Sequence, residues 1–234
     1  MRAFGAVRAV ETAGEDGLIF YAAGDSLAEL NQHITVLREA IDAARPQWLL
    51  ELVPSYDSLM LVFDMLAVDY HEVYQFVAAL PLSSAHGKLS SALHRLPVWY
   101  GAPEANDLAL ISQATGLPEA DIIKRHQAQT YTVYAVGFAP GFAYLGELDV
   151  SLATPRLANP RKAVPKGAVA IADRQTAVYP DVSPGGWHLL GLCPVALYAP
   201  GSNEPVLLQA GDQVAFYAIS EAQYHAWPVT PEVE

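Results

Sequence analysis

Between residues 129 and 219 the chain is a dense series of short apolar runs that glycine and proline separate. Short apolar runs bounded by turn residues are typical of β-strands, and strands at this density are typical of a barrel or a sandwich. The chain shows no internal repeat of roughly 20–50 residues, which excludes a solenoid or a propeller. The C-terminal part is therefore predicted to be mainly β, with strands at 129–137, 168–172, 176–179, 187–192, 195–198, 206–209 and 213–219.

The N-terminal part shows a different pattern, in which strand-like runs alternate with helical periodicity. Ser26 and Glu29 have the spacing of a capping box, and the same spacing recurs at the start of 69–80. The apolar residues that follow recur every three or four positions, which predicts helices at 26–44 and 69–80. The predicted element order is β-β-α-β-β-α, a small α+β domain with its strands at 3–10, 17–23, 48–53 and 58–64.

A serine-rich segment at 81–92, PLSSAHGKLSSA, interrupts the apolar periodicity and is interpreted as a linker. We therefore predict a small α+β domain at 1–85 and a mainly β domain at 86–234.

Composition narrows the class of protein. With 52% hydrophobic and 16% charged residues, the chain is predicted to be globular rather than disordered. No apolar run approaches the roughly 20 residues that span a bilayer, and no secretory signal is recognisable at the N-terminus. Cys193 is the single cysteine, so no internal disulfide is possible and a cytoplasmic location is predicted.

Charge indicates the kind of partner. The formal net charge of −12 argues against nucleic acid and against an anionic membrane surface as partners. Basic residues are nevertheless concentrated between 154 and 174, where Asp173 is the only acidic residue. Such a patch fits a small anionic ligand or an acidic partner, and it also fits a solvated loop with scattered charges. The basic residues of the patch are Arg156, Arg161, Lys162, Lys166 and Arg174.

Familiar catalytic motifs are absent from the sequence. There is no phosphate-binding G-x-x-x-x-G-K-[ST] loop, no G-x-G-x-x-G fingerprint and no G-x-S-x-G nucleophile elbow. The seven histidines do not fall at the spacings of a zinc site, and no metal site is predicted.

Glycine, proline, aromatic and basic side chains are instead concentrated between 131 and 191. Glycine lets a ligand approach the backbone, and aromatic rings form rigid apolar walls. Guanidinium groups suit carboxylate or phosphate, while tyrosine and glutamine could hydrogen-bond an amide. The same composition also fits a loop-rich barrel in which glycine and proline form turns and aromatic rings fill the core. No catalytic residue is identified. The predicted substrate-binding residues are Phe138, Pro140, Gly141, Phe142, Tyr144, Arg156, Arg161, Pro165, Gln175, Tyr179, Gly185, Gly186 and Trp187.

Three long motifs in this region resemble one family. They are FxPGFxYL at 138–145, PR…PR…VPxGxVxIA at 155–172 and YPxxSPGGWxxLG at 179–191. The chain is identified by them as a member of the 5-oxoprolinase B-subunit family, which is also called allophanate hydrolase subunit 1 and includes the KipI-type kinase inhibitors. The resemblance covers nearly the whole chain, because it continues through PSYDSLMLVFD at 54–64, PVWYG at 97–101 and AGDQVAFY at 210–217.

The resemblance implies an α+β N-terminal domain followed by a cyclophilin-like β-barrel domain. It also implies a component of an ATP-dependent 5-oxoprolinase, which opens 5-oxoproline to glutamate and works with partner A and C subunits. ATP with Mg²⁺ would serve the assembled complex, and the substrate would be a small anionic amide whose lactam oxygen is phosphorylated. On this hypothesis Arg156 and Arg161 hold carboxylate or phosphate, and Phe142, Tyr144 and Trp187 hold the ring.

The chain departs from the family pattern in two places, at YGAPEANDL (100–108, including Ala105 and Asn106) and at Leu192 and Cys193, where relatives carry a basic residue and a threonine. These departures leave the substrate open. Two alternative functions therefore stand beside the leading one: a KipI-like inhibitor that binds a histidine kinase, and a subunit that hydrolyses allophanate or another urea-derived amide. Prolyl isomerase activity would follow from fold analogy alone.

Overall fold

A computed structural model describes residues 1–82 and 92–228 of the chain. It divides into two compact units, residues 1–90 and 91–234. The predicted domain boundary between 85 and 86, and most of the predicted linker at 81–92, lie outside the described residues. Among the described residues, no helix has both the length and the apolar character needed to cross a membrane.

The first unit is an antiparallel four-stranded sheet with two helices, and it confirms the predicted order β-β-α-β-β-α. The strand order in the sheet is β1-β2-β4-β3. Its elements are β1 (Val7–Thr12), β2 (Gly17–Ala22), α1 (Leu27–Ala44), β3 (Leu49–Pro54), β4 (Ser58–Phe63) and α2 (Tyr70–Ala79).

Local signals set the starts of both helices in this unit. The Ser26 hydroxyl accepts a hydrogen bond from the Glu29 amide at 3.2 Å, and Asp69 forms a complete capping box with Glu72. The apolar stripe of α1 packs on the sheet, where Ile34 and other residues of the stripe are buried. The alternating in-and-out burial of β4 shows that one face of the sheet forms the core.

The second unit is built around a closed seven-stranded barrel in the order β10-β7-β6-β13-β5-β12-β9. All strand pairs of the barrel are antiparallel except β13 with β5. Strands β8 and β11 pair with each other as a separate two-stranded ribbon. The elements are β5 (Leu93–Tyr100), α3 (Leu108–Thr115), α4 (Glu119–Gln127), β6 (Thr130–Val136), β7 (Ala143–Gly146), β8 (Arg161–Val164), β9 (Ala168–Ala172), β10 (Gln175–Val178), β11 (Ser183–Gly185), β12 (His188–Leu192), β13 (Gln213–Ala218) and α5 (Glu221–His225).

The predicted α+β domain followed by a mainly β barrel is confirmed, but two of the predicted strands are wrong. Residues 195–198 and 206–209 form no strand and contribute only an isolated bridge between Tyr198 and Val206. Prolines stand at 194, 200 and 205 in this stretch, and each lacks the amide that a strand ladder needs.

The barrel interior contains one fully buried histidine. His126 shares hydrogen bonds with Tyr100 Oη at 2.7 Å through Nδ1 and with Thr176 Oγ1 at 2.9 Å through Nε2. Its ring stacks on Phe216 with the centroids 4.6 Å apart. Burial lowers the pKa of His126 to about 3, so the ring is neutral at physiological pH and holds helix α4 against β5 and β10.

Candidate functional site

A cavity of about 90 Å³ opens on the second unit beside the β8–β11 ribbon. Three separate segments contribute to it: the turn before β7 with the start of β7 itself, the loop before β8, and the chain from the end of β10 to the start of β12. We call this cavity the barrel pocket. Its lining residues are Phe138, Phe142, Tyr144, Arg156, Tyr179, Pro184, Gly185, Gly186 and Trp187.

Phe142 is the centre of the aromatic wall of the barrel pocket. Its ring makes edge-to-face contacts with four other rings, at centroid distances of 4.9 to 6.0 Å. Contacts of this geometry are favourable, and they lock each ring against its neighbours. Phe142 itself is only 2% exposed, so it supports the wall from behind. The four neighbouring rings belong to Phe138, Tyr144, Tyr179 and Trp187.

The turn before β7 places one of these rings at the mouth of the pocket. Phe138 has a φ of 74° and leaves 63% of its surface exposed. Gly141 has a φ of 79°, and a Cβ at this position would lie 2.9 Å from the carbonyl oxygen of Leu197. Both the backbone conformation and the close approach therefore require glycine at 141. Positive φ is an uncommon and strained conformation for a phenylalanine, and residues strained in this way cluster at active sites and ligand-binding sites.

Arg156 supplies the positive charge of the barrel pocket. Its guanidinium carbon lies 5.7 Å from the centroid of the Trp187 ring, a cation–π contact. Within residues 1–82 and 92–228 it makes no ion pair and no hydrogen bond. A guanidinium that is oriented by an aromatic ring and keeps its donors unused is suited to bind a carboxylate or a phosphate.

Arg161 has a different environment from Arg156. Its Nη2 donates to both carboxylate oxygens of Asp107, at 2.6 and 2.7 Å, and its Nη1 donates to the Trp187 carbonyl at 3.2 Å. Asp107 is 6% exposed and also accepts a hydrogen bond from the Leu189 amide at 2.7 Å. Arg161 is therefore paired with an internal carboxylate, and together they hold the backbone on both sides of His188.

His188 joins the start of strand β12 to the loop that carries Arg156. Its Nε2 donates to the carbonyl of Pro155 at 3.0 Å, so the residue after Trp187 is joined to the residue before Arg156. His188 is 8% exposed. This hydrogen bond fixes the loop of Arg156 against the strand that begins beside Trp187.

The structure brings most of the predicted site residues together, and it places five of them outside the pocket lining. Gln175 lies on β10, opposite Gly146 of β7. Pro165 accepts a backbone hydrogen bond from Ala168 in a turn. The five residues outside the lining are Pro140, Gly141, Arg161, Pro165 and Gln175.

Sequence reasoning missed Pro184, Asp107 and His188. Pro184 lies within the SPGGW stretch but carries no chemistry that would single it out. The importance of Asp107 depends on Arg161, which is 54 residues away in the sequence, and no local pattern shows that pairing.

Burial raises the pKa of the Cys193 thiol to about 12, so this residue is no nucleophile. In the described part of the chain, no three His, Cys, Asp or Glu side chains cluster as metal ligands would.

Comparison with known proteins identifies relatives of the chain. The family described as "Carboxyltransferase domain, subdomain C and D" matches residues 8–208. The chain is 38% identical to the B subunit of 5-oxoprolinase from Bacillus subtilis (strain 168), over 76% of this chain and 79% of that protein. It is 46% identical to the B subunit of 5-oxoprolinase from Escherichia coli O157:H7, over 52% of this chain and 56% of that protein.

Solved structures show the same fold. The crystal structure of TTHA0988 superposes with a TM-score of 0.77 at 35% identity, over 92% of this chain. The chain spans only 41% of the length of TTHA0988. Urea carboxylase of Kluyveromyces lactis superposes with a TM-score of 0.72 at 16% identity, over 95% of this chain and 24% of that protein, which is a likeness of fold alone.

Proposed function

Since the chain belongs to the 5-oxoprolinase B-subunit family, which carries carboxyltransferase subdomains C and D, we propose that it is the B component of an ATP-dependent 5-oxoprolinase. The proposed reaction converts 5-oxo-L-proline, ATP and water into L-glutamate, ADP and phosphate. Because the reaction consumes ATP, we place the complex in the cytoplasm.

The observation that supports this proposal most strongly is the pairing of Arg156 with Trp187 in the barrel pocket. At neutral pH 5-oxoproline is a small, mostly apolar ring with one carboxylate. The wall around Phe142 can hold the ring, and the unused donors of Arg156 can hold the carboxylate.

The barrel pocket does not fit ATP. Its volume of about 90 Å³ is small beside the roughly 300–1,000 Å³ of clefts that hold larger ligands. The sequence also lacks a phosphate-binding loop. We therefore assign ATP and Mg²⁺ to the partner subunits, and this chain binds and orients the ring that they act on.

We propose the A and C subunits as the partners, because the relatives are named as the B component of the enzyme. Two large apolar side chains are exposed near the pocket, Phe138 at 63% and Val182 at 60%. Val182 directly precedes β11, whose Pro184 and Gly185 line the pocket. Exposed apolar groups around a binding site are typical of a surface that a partner covers.

A reconstitution experiment tests the proposed function. The chain is co-purified with the A and C subunits of a related 5-oxoprolinase, and glutamate formed from 5-oxoproline is measured with and without ATP. We expect glutamate only when all three subunits and ATP are present. Full activity without this chain, or no activity in any combination together with tight binding to a histidine kinase, would favour the inhibitor function instead.

A further inference from the structure

Tyr179 has a buried ring, and its hydroxyl has no hydrogen-bond partner among the described residues. The residue is 2% exposed and lines the barrel pocket. Its hydroxyl makes no hydrogen bond to any residue in the described part of the chain. The hydroxyl oxygen is not one of the side-chain atoms that are sealed from solvent without a partner, so it is open to the pocket and can donate a hydrogen bond to a ligand there.

The surroundings of Tyr179 hold the ring in place and keep space at its hydroxyl. Its amide donates to the Ala168 carbonyl at 2.9 Å, and its carbonyl accepts from the Gly167 amide at 2.8 Å. Phe142 packs edge-to-face on the ring at 5.2 Å. Gly185 lies directly against Tyr179 Oη, and a Cβ at 185 would overlap this oxygen. The backbone hydrogen bonds, Phe142 and Gly185 therefore hold the ring in place, and the hydroxyl is left at the pocket.

The ionisation state of Tyr179 decides whether it donates or accepts. Burial is the largest influence and raises the pKa of the phenol, while the positive charge of Arg156 acts in the opposite direction. The net pKa lies above the ordinary value of 10.0, so the phenol keeps its proton throughout the neutral range. It is therefore a neutral hydrogen-bond donor.

We propose that the Tyr179 hydroxyl donates a hydrogen bond to the carbonyl oxygen of a small cyclic amide whose carboxylate is bound by Arg156. This inference rests on the proposed function for the identity of the ring, and it adds the residue that recognises the amide. It makes Tyr179 a specificity-determining residue, because a ring carboxylate without the carbonyl cannot form this hydrogen bond. A site built to hydrogen-bond one group rejects ligands that lack it more strongly than an apolar pocket does.

Titration calorimetry with the full chain tests this inference, with 5-oxo-L-proline and cyclopentanecarboxylate as the two ligands. The variant Tyr179→Phe removes only the hydroxyl and keeps the ring that Phe142 packs on. We expect it to bind 5-oxoproline about 5–10-fold more weakly than the unmodified chain, the loss of one hydrogen bond. Its affinity for cyclopentanecarboxylate should stay the same. The control Tyr217→Phe removes a hydroxyl from a residue on β13 that is 37% exposed, and it should change neither affinity.

Each other outcome overturns the inference. Unchanged 5-oxoproline affinity in Tyr179→Phe, an equal loss for both ligands, or no binding of 5-oxoproline by the unmodified chain would each contradict it. Failure of the proposed function is separate, because it appears as a reconstituted complex that forms no glutamate. Suppose that Tyr179→Phe weakens the binding of 5-oxoproline but not of cyclopentanecarboxylate, while the complex forms no glutamate. The amide site is then supported and the oxoprolinase function is not.

Discussion

At the scale of single residues, the barrel pocket depends on glycines that leave room for aromatic side chains. Gly185 has no positive φ, so alanine fits its backbone, but the added Cβ would overlap Tyr179 Oη. The space at position 185 is therefore what allows the phenol to reach the pocket.

The substitution Gly185→Ala tests that relation. We expect it to weaken 5-oxoproline binding about 5–10-fold, because the methyl group displaces the Tyr179 hydroxyl and one hydrogen bond is lost. Gly185→Ala should weaken 5-oxoproline binding less in the Tyr179→Phe chain than in the unmodified chain, because the hydrogen bond of the Tyr179 hydroxyl is already absent there. Titration calorimetry with the unmodified chain, the two single variants and the double variant measures how far the two effects depend on each other. The control Gly137→Ala places a Cβ where no atom lies within 4 Å. Additive effects of the two changes would contradict the relation.

At the scale of elements, the ion pair of Arg161 and Asp107 joins strand β8 to the start of helix α3. Asp107 precedes α3, and its side chain reaches the Leu189 amide of β12 as well as Arg161 of β8. One buried carboxylate therefore connects the β8–β11 ribbon, the barrel and a helix. This pair also holds the carbonyl of Trp187 through Arg161.

Removing this carboxylate should destabilise the second unit. We expect Asp107→Ala to lower the free energy of unfolding by about 2–4 kcal/mol, because the Arg161 guanidinium loses its carboxylate partner and the Leu189 amide loses this acceptor. Urea denaturation followed by circular dichroism measures the change. Glu204→Ala, which removes an exposed carboxylate in a loop, is the control and should change stability little. An Asp107→Ala midpoint equal to that of the control would show that the pair is dispensable.

The buried His126 makes the barrel sensitive to acid. Its pKa is about 3 in the folded chain and near the ordinary 6.5 in the unfolded chain, so the unfolded state binds more protons between these values. The stability that neutral His126 contributes is complete above pH 6.5 and is lost as the pH falls toward 3. We expect a slope approaching about 1.4 kcal/mol per pH unit in this window. His126→Gln should flatten the slope in urea denaturation between pH 6.5 and about pH 4, and an unchanged slope would contradict this account.

Elements with strong local signals could be predicted from the sequence, and elements defined by distant contacts could not. Helix α1 follows from Ser26 and its apolar stripe, which act within a few residues. The β8–β11 ribbon brings residues 161–164 to residues 183–185, and neither strand has an alternating pattern of its own. At the site, the motif residues Arg156 and Trp187 were predicted as ligand-binding, but the carboxylate that pairs with Arg161 depends on the fold.

At the scale of the whole molecule, the role that we propose for the chain is to supply a binding pocket for a reaction that partner subunits complete. The described residues provide a free guanidinium, a phenol donor and aromatic walls in the second unit. The names of its relatives indicate the reaction that we propose for such a pocket. The central claim is therefore that Arg156 binds the carboxylate of the ring whose amide the assembled enzyme opens.

The KM for 5-oxoproline of the reconstituted complex carrying Arg156→Ala tests this claim most directly. We predict that the KM rises roughly 10–100-fold, the loss of one charge-assisted interaction, with a much smaller change in kcat. The matched control Lys124→Ala removes one exposed positive charge from α4 and should leave both parameters unchanged. A complex with Arg156→Ala that keeps the KM of the unmodified complex would contradict the claim.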